Sequence, residues 1–234
     1  MKSPATVYLI PTLLDDEGMN ALPGYIIDAI KSSQVFFVEN ERSARRFLKK
    51  LWKEMEIDSF QWFVIHKAED SVKQEFLQQI MQGKTIAILS EAGCPGIADP
   101  GQILVAAAQE AGAIVKPLVG PSSILLALMA SGMNGQHFQF HGYLPIETAE
   151  RNRSIRELES ASRKDGSSQI FIETPYRNIS LLDSLLKNCS NETRLCIAVN
   201  LTGKSESVKT KTIETWRKSI PDINKKPAIF ILEA

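Results

Sequence analysis

The residues best suited to chemistry lie in a loop rich in glycine and proline near the middle of the chain. An apolar run over 85–89 leads into Ser90-Glu91-Ala92-Gly93-Cys94-Pro95-Gly96, and the loop closes with Asp99-Pro100. A carboxylate before proline predicts a helix N-cap at Asp99. Glycine lets backbone amides approach a ligand, and ligands of open α/β sheets bind at the carboxyl ends of strands. An ordinary strand-to-helix connection is the alternative interpretation.

A second loop of the same kind follows at Val119-Gly120-Pro121-Ser122-Ser123. It joins an apolar run over 114–118 to a helical pattern over 124–130. Free amides and hydroxyl groups at a helix amino terminus suit a carboxylate or another polar ligand group. Simple capping of the helix by Ser122 or Ser123 would explain the same hydroxyls.

Cationic side chains form a stripe along one face of a helix predicted over 41–55. They fall within an arc of about 140°, and apolar side chains such as Phe47 and Leu48 occupy the opposite face. The stripe consists of Arg42, Arg45, Arg46, Lys49, Lys50 and Lys53. It predicts contacts with a polyanion such as the phosphates of RNA, and a solvated charged face is the alternative.

The elements that must position these residues alternate between short apolar runs and amphipathic helical patterns, which is typical of an α/β protein with largely parallel strands. Later strands, near 207–213, alternate Thr and Val with Lys and favour antiparallel pairing. We predict two α/β domains, residues 1–118 with a mainly parallel sheet and residues 119–234 with a mixed sheet. Helices are predicted near 22–32, 41–55, 69–82, 101–111, 122–131, 150–163 and 176–187.

Composition excludes several classes of protein. The 234 residues carry 27 basic and 27 acidic side chains and are 44% apolar, which argues against disorder and against a broadly basic surface. No apolar run approaches the roughly 20 residues of a membrane span, and no signal-peptide pattern opens the chain, so we expect a cytoplasmic protein. The three cysteines lack paired spacing, so no metal site is expected.

Familiar catalytic fingerprints are missing, but several motifs together resemble the tetrapyrrole methylase superfamily. The glycine-rich dinucleotide, Walker, serine-hydrolase and zinc-protease motifs do not occur. The matching motifs extend in order along the chain: Tyr8-Leu9-Ile10-Pro11-Thr12, the loops at 90–101 and 120–123, Phe138-Gln139-Phe140-His141-Gly142-Tyr143-Leu144-Pro145, Phe171-Ile172-Glu173-Thr174-Pro175-Tyr176-Arg177 and Ala198-Val199-Asn200-Leu201-Thr202. Within the superfamily they are most similar to the branch that methylates small-subunit ribosomal RNA.

The resemblance implies a methyltransferase, usually a homodimer, that binds S-adenosylmethionine in a cleft between two α/β domains. Motif matching assigns the donor site to Pro11, Ser90, Glu91, Ala92, Gly93, Ile97, Ala98, Ser122, Ser123, Phe171, Asn200, Leu201 and Ala228. Departures fall mostly on the acceptor side. The branch typically opens Pro-Thr-Pro-Ile-Gly-Asn, whereas this chain reads Pro11-Thr12-Leu13-Leu14-Asp15-Asp16, and its Glu-Asp-Thr-Arg is here Glu39-Asn40-Glu41-Arg42.

Methyl transfer requires alignment of the acceptor and exclusion of water, and a hydroxyl acceptor must also lose its proton. Glu39 and His66 are the candidates for the catalytic proton acceptor, since each follows a strand of the first domain. The alternatives are an ion pair between Glu39 and Arg42 and a surface position for His66.

We therefore expect an S-adenosylmethionine-dependent methyltransferase that modifies a ribose 2′-hydroxyl of small-subunit ribosomal RNA. Its partners would be this RNA, or the small subunit, and a second copy of the chain. A methyltransferase acting on a tetrapyrrole or another small molecule, and a non-catalytic protein that binds the donor, are the two alternatives.

Overall fold

The computed structural model describes residues 4–65 and 69–234. These form two compact units, Met1–Ser122 and Ser123–Ala234. The sequence pattern places the division after residue 118, at the end of an apolar run. Among the helices of the described segments, none has the length and apolar character needed to cross a bilayer.

Unit 1 is built on a five-stranded sheet in which every pair is parallel, in the order β3-β2-β4-β1-β5. Its strands are β1 (Thr6–Ile10), β2 (Val35–Val38), β3 (Gln61–Val64), β4 (Thr85–Leu89) and β5 (Ile114–Pro117). Its helices are α1 (Ile26–Ser32), α2 (Glu41–Leu51), α3 (Glu69–Met81) and α4 (Gln102–Glu110). Short 3₁₀ turns lie at Met19–Ala21 and Ile57–Ser59.

Helices cover both faces of this sheet, which explains why its central strands are apolar without interruption. Phe36 and Val38 of β2 point into a cluster with α1 and α2, whereas the alternate residues Val35 and Phe37 face Phe76 of α3 and other apolar side chains. Because β2, β4 and β1 are neighbouring parallel strands, their carboxyl ends lie at the same edge of the sheet. The loops after these strands carry the predicted site residues.

Unit 2 contains a five-stranded mixed sheet in the order β6-β7-β10-β8-β9. Its strands are β6 (Phe138–Tyr143), β7 (Ser168–Ile172), β8 (Arg194–Val199), β9 (Ser207–Thr212) and β10 (Ala228–Glu233). Its helices are α5 (Ser123–Ser131), α6 (Thr148–Asp165), α7 (Asn178–Asn188) and α8 (Ile213–Lys218), with a 3₁₀ turn at Pro175–Arg177. The pair β6-β7 is parallel, and β10-β7, β10-β8 and β8-β9 are antiparallel.

The predicted fold class is confirmed, with a parallel first sheet and a mixed second sheet. Three local predictions were wrong. Helix α1 begins at Ile26 instead of residue 22, because Pro23-Gly24 forms a turn before it. Helix α2 ends at Leu51, which leaves Lys53 beyond the helix. Helix α8 was not predicted, since six residues show too little periodicity.

Candidate functional site

The loop after β4 is folded tightly by its own backbone and by the loop after β1. The backbone amide of Thr12 donates to the carbonyl of Gly93 at 2.8 Å. Ser90 is buried, and its hydroxyl donates to the carbonyls of Ala92 and Gly93, each at 3.4 Å. Gly93 has φ +77°, a conformation that favours glycine. These hydrogen bonds and the glycine conformation define the shape of the loop.

The sequence predicted Asp99 as the N-cap of helix α4, and this prediction was wrong. Asp99 instead holds the loop that precedes the helix. Its carboxylate accepts from the amide of Gly96 at 2.9 Å and from that of Gly101 at 2.7 Å. Helix α4 begins at Gln102, and Gly101 supplies no side-chain cap. Burial raises the pKa of Asp99, while these amide hydrogen bonds oppose the rise. The carboxylate reaches back across the loop because Gly96 turns its amide towards it.

The two loops singled out in the sequence meet within unit 1. The Cys94 thiol donates to the carbonyl of Pro121 at 3.5 Å and to that of Gly120 at 3.7 Å. Gly120 lies so close to Pro11 that an added Cβ would stand 2.1 Å from the Pro11 Cβ atom. Burial raises the pKa of Cys94, which keeps the thiol protonated as a donor. Glycine is therefore required at position 120 by packing.

Glu39 follows β2 and holds the glycine-rich loop from the side. Its carboxylate accepts from the backbone amide of Glu91 at 2.7 Å, and the Ser43 hydroxyl donates to the Glu91 carboxylate at 2.6 Å. Burial raises the pKa of Glu39, and the neighbouring carboxylates of Asp99 and Glu91 raise it further, against the amide bond. The alternative partner Arg42 forms no salt bridge with it in the described chain. His66 lies outside the described residues.

A polar cavity of about 180 Å³ opens between this loop and helix α2. It is lined by Thr12, Leu13, Asp16, Ser43, Ala44, Arg46, Phe47, Lys50, Ser90 and Glu91. The hydroxyl of Thr12 is buried and has no hydrogen-bond partner within the described segments. The residues of the predicted donor loop and two cations of the predicted stripe thus border one cavity.

The stripe on α2 is less uniform than the sequence predicted. Arg45 pairs with Glu41 at 2.6 Å and with Asp58 at 3.4 Å, and its guanidinium lies 5.0 Å from the Trp62 ring centre. Lys50 pairs with Asp16 at 2.8 Å, which lowers the pKa of that carboxyl.

The remaining cations of the stripe differ in their partners. The Lys49 ammonium donates to the carbonyl of Lys53, just beyond the end of the helix, at 2.9 Å. Arg42, Arg46 and Lys53 form no salt bridge with a residue that the structure describes. The stripe therefore does not present a uniform row of free charges, because acids from elsewhere in unit 1 fold onto it.

Three polar lining residues were not among the predicted site residues: Thr12, Asp16 and Ser43. Thr12 follows Pro11 just after β1, and this position after a strand could have indicated that Thr12 belongs to the site. Ser43 sits between cations on the polar face of α2. No sequence pattern indicated Asp16, because its ion pair with Lys50 depends on how the loop after β1 folds onto α2.

The remaining predicted donor residues have defined places in the backbone. Ile97 is 55% exposed and Ala98 has φ +58°, a strained conformation for a residue with a side chain. Ser122 ends unit 1 and Ser123 begins α5 in unit 2. Phe171 is buried in β7, opposite an irregular step of β6.

The last three predicted donor residues lie where β8 ends and β10 begins: Asn200 and Leu201 follow β8, and Ala228 is the first residue of β10. The backbone of Asn200 has φ +50°, and its backbone amide donates to the carbonyl of Pro227 at 3.0 Å. Leu201 and Ala228 are buried, and Ala228 pairs with Val199 in the ladder. Their role in binding a donor stays a prediction.

Comparison with known proteins assigns the family. A family model described as Tetrapyrrole (Corrin/Porphyrin) Methylases matches residues 20–216. The chain belongs to the tetrapyrrole methylase family. This membership confirms the predictions of a methyltransferase and of S-adenosylmethionine as its methyl donor. Among the described residues, no group of His, Cys, Asp and Glu is arranged to hold a metal ion.

Individual relatives of this methylase carry informative names. A protein of Vibrio cholerae serotype O1, named Ribosomal RNA small subunit methyltransferase I, is 30% identical over 97% of this chain and 75% of its own length. A protein of the same name from Xylella fastidiosa is 27% identical over 99% of this chain and 82% of its own length.

Solved structures with the same fold are more distant in sequence. A diphthine synthase superposes with a TM-score of 0.67 at 12% identity, covering 98% of this chain and 90% of that protein. The methyltransferase CobJ superposes with a TM-score of 0.63 at 15% identity, covering 98% of this chain and 93% of that protein. Such low identities establish the fold of this methylase and nothing finer.

Proposed function

We propose that this methylase transfers the methyl group of S-adenosylmethionine to a ribose 2′-hydroxyl in small-subunit ribosomal RNA. The observation that carries the proposal is the cavity of unit 1. Ser90 and Glu91 of the predicted donor loop border it on one side, and Arg46 and Lys50 of α2 border it on the other. A methyl donor and a phosphate-bearing acceptor need such neighbouring surfaces. The names of the relatives agree with an RNA acceptor.

The carboxylates around the loop suit a cationic donor. Glu39, Glu91 and Asp99 lie close enough for each of the latter two to raise the pKa of Glu39. This concentration of negative charge would favour a sulfonium cation. Bound at this loop, S-adenosylmethionine would supply a methyl group already activated for in-line displacement. We assign its binding in unit 1 to Pro11, Ser90–Gly93, Ile97 and Ala98.

The protein's own contribution would be to place the acceptor and take its proton. Arg46 would contact a phosphate beside the acceptor nucleotide, because it projects into the cavity without an ion pair to a described residue. The buried Thr12 hydroxyl would hydrogen-bond the ribose. We assign proton acceptance to Glu39, since its raised pKa brings its basicity closer to that of a general base at neutral pH.

A direct test combines transfer in vitro with mapping in cells. Small ribosomal subunits from cells lacking this protein would be incubated with the purified protein and methyl-labelled S-adenosylmethionine. We expect label in one ribose of the small-subunit RNA, and loss of that modification from the map of the deleted strain. Lys187→Ala, on the exposed side of α7, serves as a surface control with unchanged transfer.

Three results would overturn the proposal. An unchanged ribose-methylation map after deletion would exclude the ribosomal acceptor. Transfer of label to a tetrapyrrole polycarboxylate instead of RNA would move the acceptor to the small-molecule class. Binding of S-adenosylhomocysteine without transfer to either acceptor would indicate a non-catalytic donor-binding protein.

A further inference from the structure

A separate surface of unit 2 combines exposed aromatic rings with fixed cations. Tyr143 ends the edge strand β6 and is 59% exposed, and Tyr176 in the 3₁₀ turn after β7 is 78% exposed. Arg177 follows Tyr176, and Tyr143 pairs with Ile172 in the β6-β7 ladder, directly before Glu173, which binds Arg177. We call these residues, together with Lys225, the tyrosine patch. It lies at the carboxyl ends of the parallel pair β6 and β7, where ligands of such strands commonly bind.

The guanidinium of Arg177 is held in place from beneath by a buried carboxylate. The side chain of Glu173 is 0% exposed. One of its oxygens accepts from Arg177 Nε at 2.9 Å and Nη2 at 2.7 Å, and also from the amide of Thr174 at 2.6 Å. Within the described chain, Nη1 of Arg177 has no hydrogen-bond partner. A buried carboxylate that holds one edge of a guanidinium leaves the other edge oriented for an anion.

A second cationic residue lies on a backbone segment that is hydrogen-bonded to the same turn. The backbone amide of Lys225 donates to the carbonyl of Pro175 at 3.0 Å, with φ +57° at Lys225. The side-chain amide of Asn178 donates to the carbonyls of Ile223 and Lys226 at 3.0 and 2.7 Å, which ties the segment to α7. The Lys225 side chain is exposed and has no salt bridge to a described residue. The loop therefore brings a lysine to the edge of the patch.

Rings and cations in this combination fit one kind of ligand. Unpaired bases stack on exposed aromatic side chains, and the adjoining phosphates are attracted by Arg and Lys. We propose that the tyrosine patch binds an unpaired segment of the RNA substrate, with bases stacked on Tyr143 and Tyr176 and a phosphate on Arg177. This inference rests on the proposed function, because it supplies a second contact to the same RNA.

The test measures RNA binding and donor binding separately on the full chain. Fluorescence anisotropy with a labelled single-stranded oligouridylate reports RNA affinity, and calorimetry with S-adenosylhomocysteine reports donor affinity. We expect Tyr143→Ala and Tyr176→Ala each to weaken RNA binding about tenfold, with donor affinity unchanged. Tyr176→Phe should retain most of the affinity because it keeps the ring. Arg177→Lys should weaken binding while keeping the charge, because lysine cannot reproduce the oriented fork.

Phe138→Ala is the matched control, since Phe138 is an exposed aromatic residue at the opposite end of the same strand. Circular dichroism and thermal unfolding would establish that every variant is folded. The inference is overturned if Tyr143→Ala and Tyr176→Ala bind RNA as well as Phe138→Ala does. It is also overturned if donor affinity falls instead of RNA affinity, because the patch would then belong to the donor site.

The outcome for the patch can be told apart from the outcome for the proposed function. Methyl transfer to ribosomal RNA by the unaltered protein, with full RNA affinity in the tyrosine variants, would reject the patch alone. Absence of transfer by the unaltered protein despite donor binding would reject the proposed function. If the unaltered protein also failed to bind the oligonucleotide, both would fall.

Discussion

The carboxylate of Glu39 combines two tasks that substitution can separate. Its hydrogen bond to the backbone amide of Glu91 holds the predicted donor loop, and its charge is what a general base would use. Glutamine can still accept that hydrogen bond through its amide oxygen, but it cannot take up a proton. Alanine loses both properties.

We predict that Glu39→Gln lowers the rate of methyl transfer about a hundredfold or more while donor affinity stays the same. Because a base must be ionised, the rate of the unaltered protein should rise with pH through a pKa above the usual 4.5 of this carboxyl, and Glu39→Gln should lack that rise. Glu39→Ala should lose donor affinity as well. Transfer rates and calorimetry with S-adenosylhomocysteine measure both effects, and full activity of Glu39→Gln would reduce Glu39 to a positioning residue.

The same raised pKa predicts how stability depends on pH. The unfolded chain would ionise this carboxyl first, at its ordinary pKa, whereas the folded protein keeps its proton to a higher pH. Its contribution to stability therefore falls as the pH rises from about 4.5 to the folded value. Glu39→Gln should remove this pH-dependent loss, which urea unfolding at several pH values would measure.

Gly120 tests how tightly the two loops of unit 1 pack. A Cβ atom at this position would stand 2.1 Å from that of Pro11, so that one of the loops must move. We predict that Gly120→Ala lowers the free energy of unfolding by about 1–3 kcal/mol and weakens donor binding. Gly24→Ala is the control, because a Cβ there meets no atom within 4 Å. Equal stability of the two variants in urea unfolding would contradict the close packing.

The arginines of helix α2 differ in their contacts within the protein. Arg45 is held by Glu41, Asp58 and the ring of Trp62, whereas Arg42 and Arg46 form no salt bridge with any residue described. The apolar face of the helix, including Phe47 and Leu48, is buried as predicted. The side chain of Asn40 caps its start by accepting from the amides of Arg42 and Ser43. The rigid helix therefore presents Arg42 and Arg46 from fixed backbone positions.

Substitution should distinguish Arg42 and Arg46, which we propose to contact RNA, from Arg45, which is held by contacts within the protein. The double variant Arg42→Ala/Arg46→Ala should weaken RNA binding and lower the slope of log affinity against log salt by about 0.7–0.9 for each phosphate that is no longer neutralised. Its stability should change by no more than about 0.5 kcal/mol per site. Arg45→Ala should instead cost about 1–2 kcal/mol of stability and leave the slope unchanged. Anisotropy over a salt series and urea unfolding distinguish the two, and a reduced slope for Arg45→Ala would contradict the assignment.

At the scale of the whole molecule, a net charge of zero makes local surfaces decisive for RNA binding. The two surfaces that we propose for this contact are the cation-bordered cavity in unit 1 and the tyrosine patch in unit 2. Each unit also has its own sheet and its own buried core, so substitutions on the two surfaces can be interpreted separately.

Element prediction succeeded where burial follows the local pattern. The apolar run over 85–89 coincides with β4, because this central strand is apolar without interruption and buried on both faces. The start of α1 and the existence of α8 were missed, since a turn at Pro23-Gly24 and a six-residue helix carry weak periodicity. Among the predicted site residues, the loop over 90–96 could be found because Gly93, Pro95 and Gly96 follow closely after β4.

The amino-acid sequence by itself determined the methylase family, the α/β alternation and the two loops that meet at Cys94 and Pro121. These features depend on residues adjacent in the chain and on the order of motifs along it. Only the tertiary structure decided that Glu39 binds the amide of Glu91, that Asp16 pairs with Lys50, and that Thr12 faces a polar cavity. Ion pairs and cavities join residues tens of positions apart, and no local periodicity records which distant loop folds onto which helix.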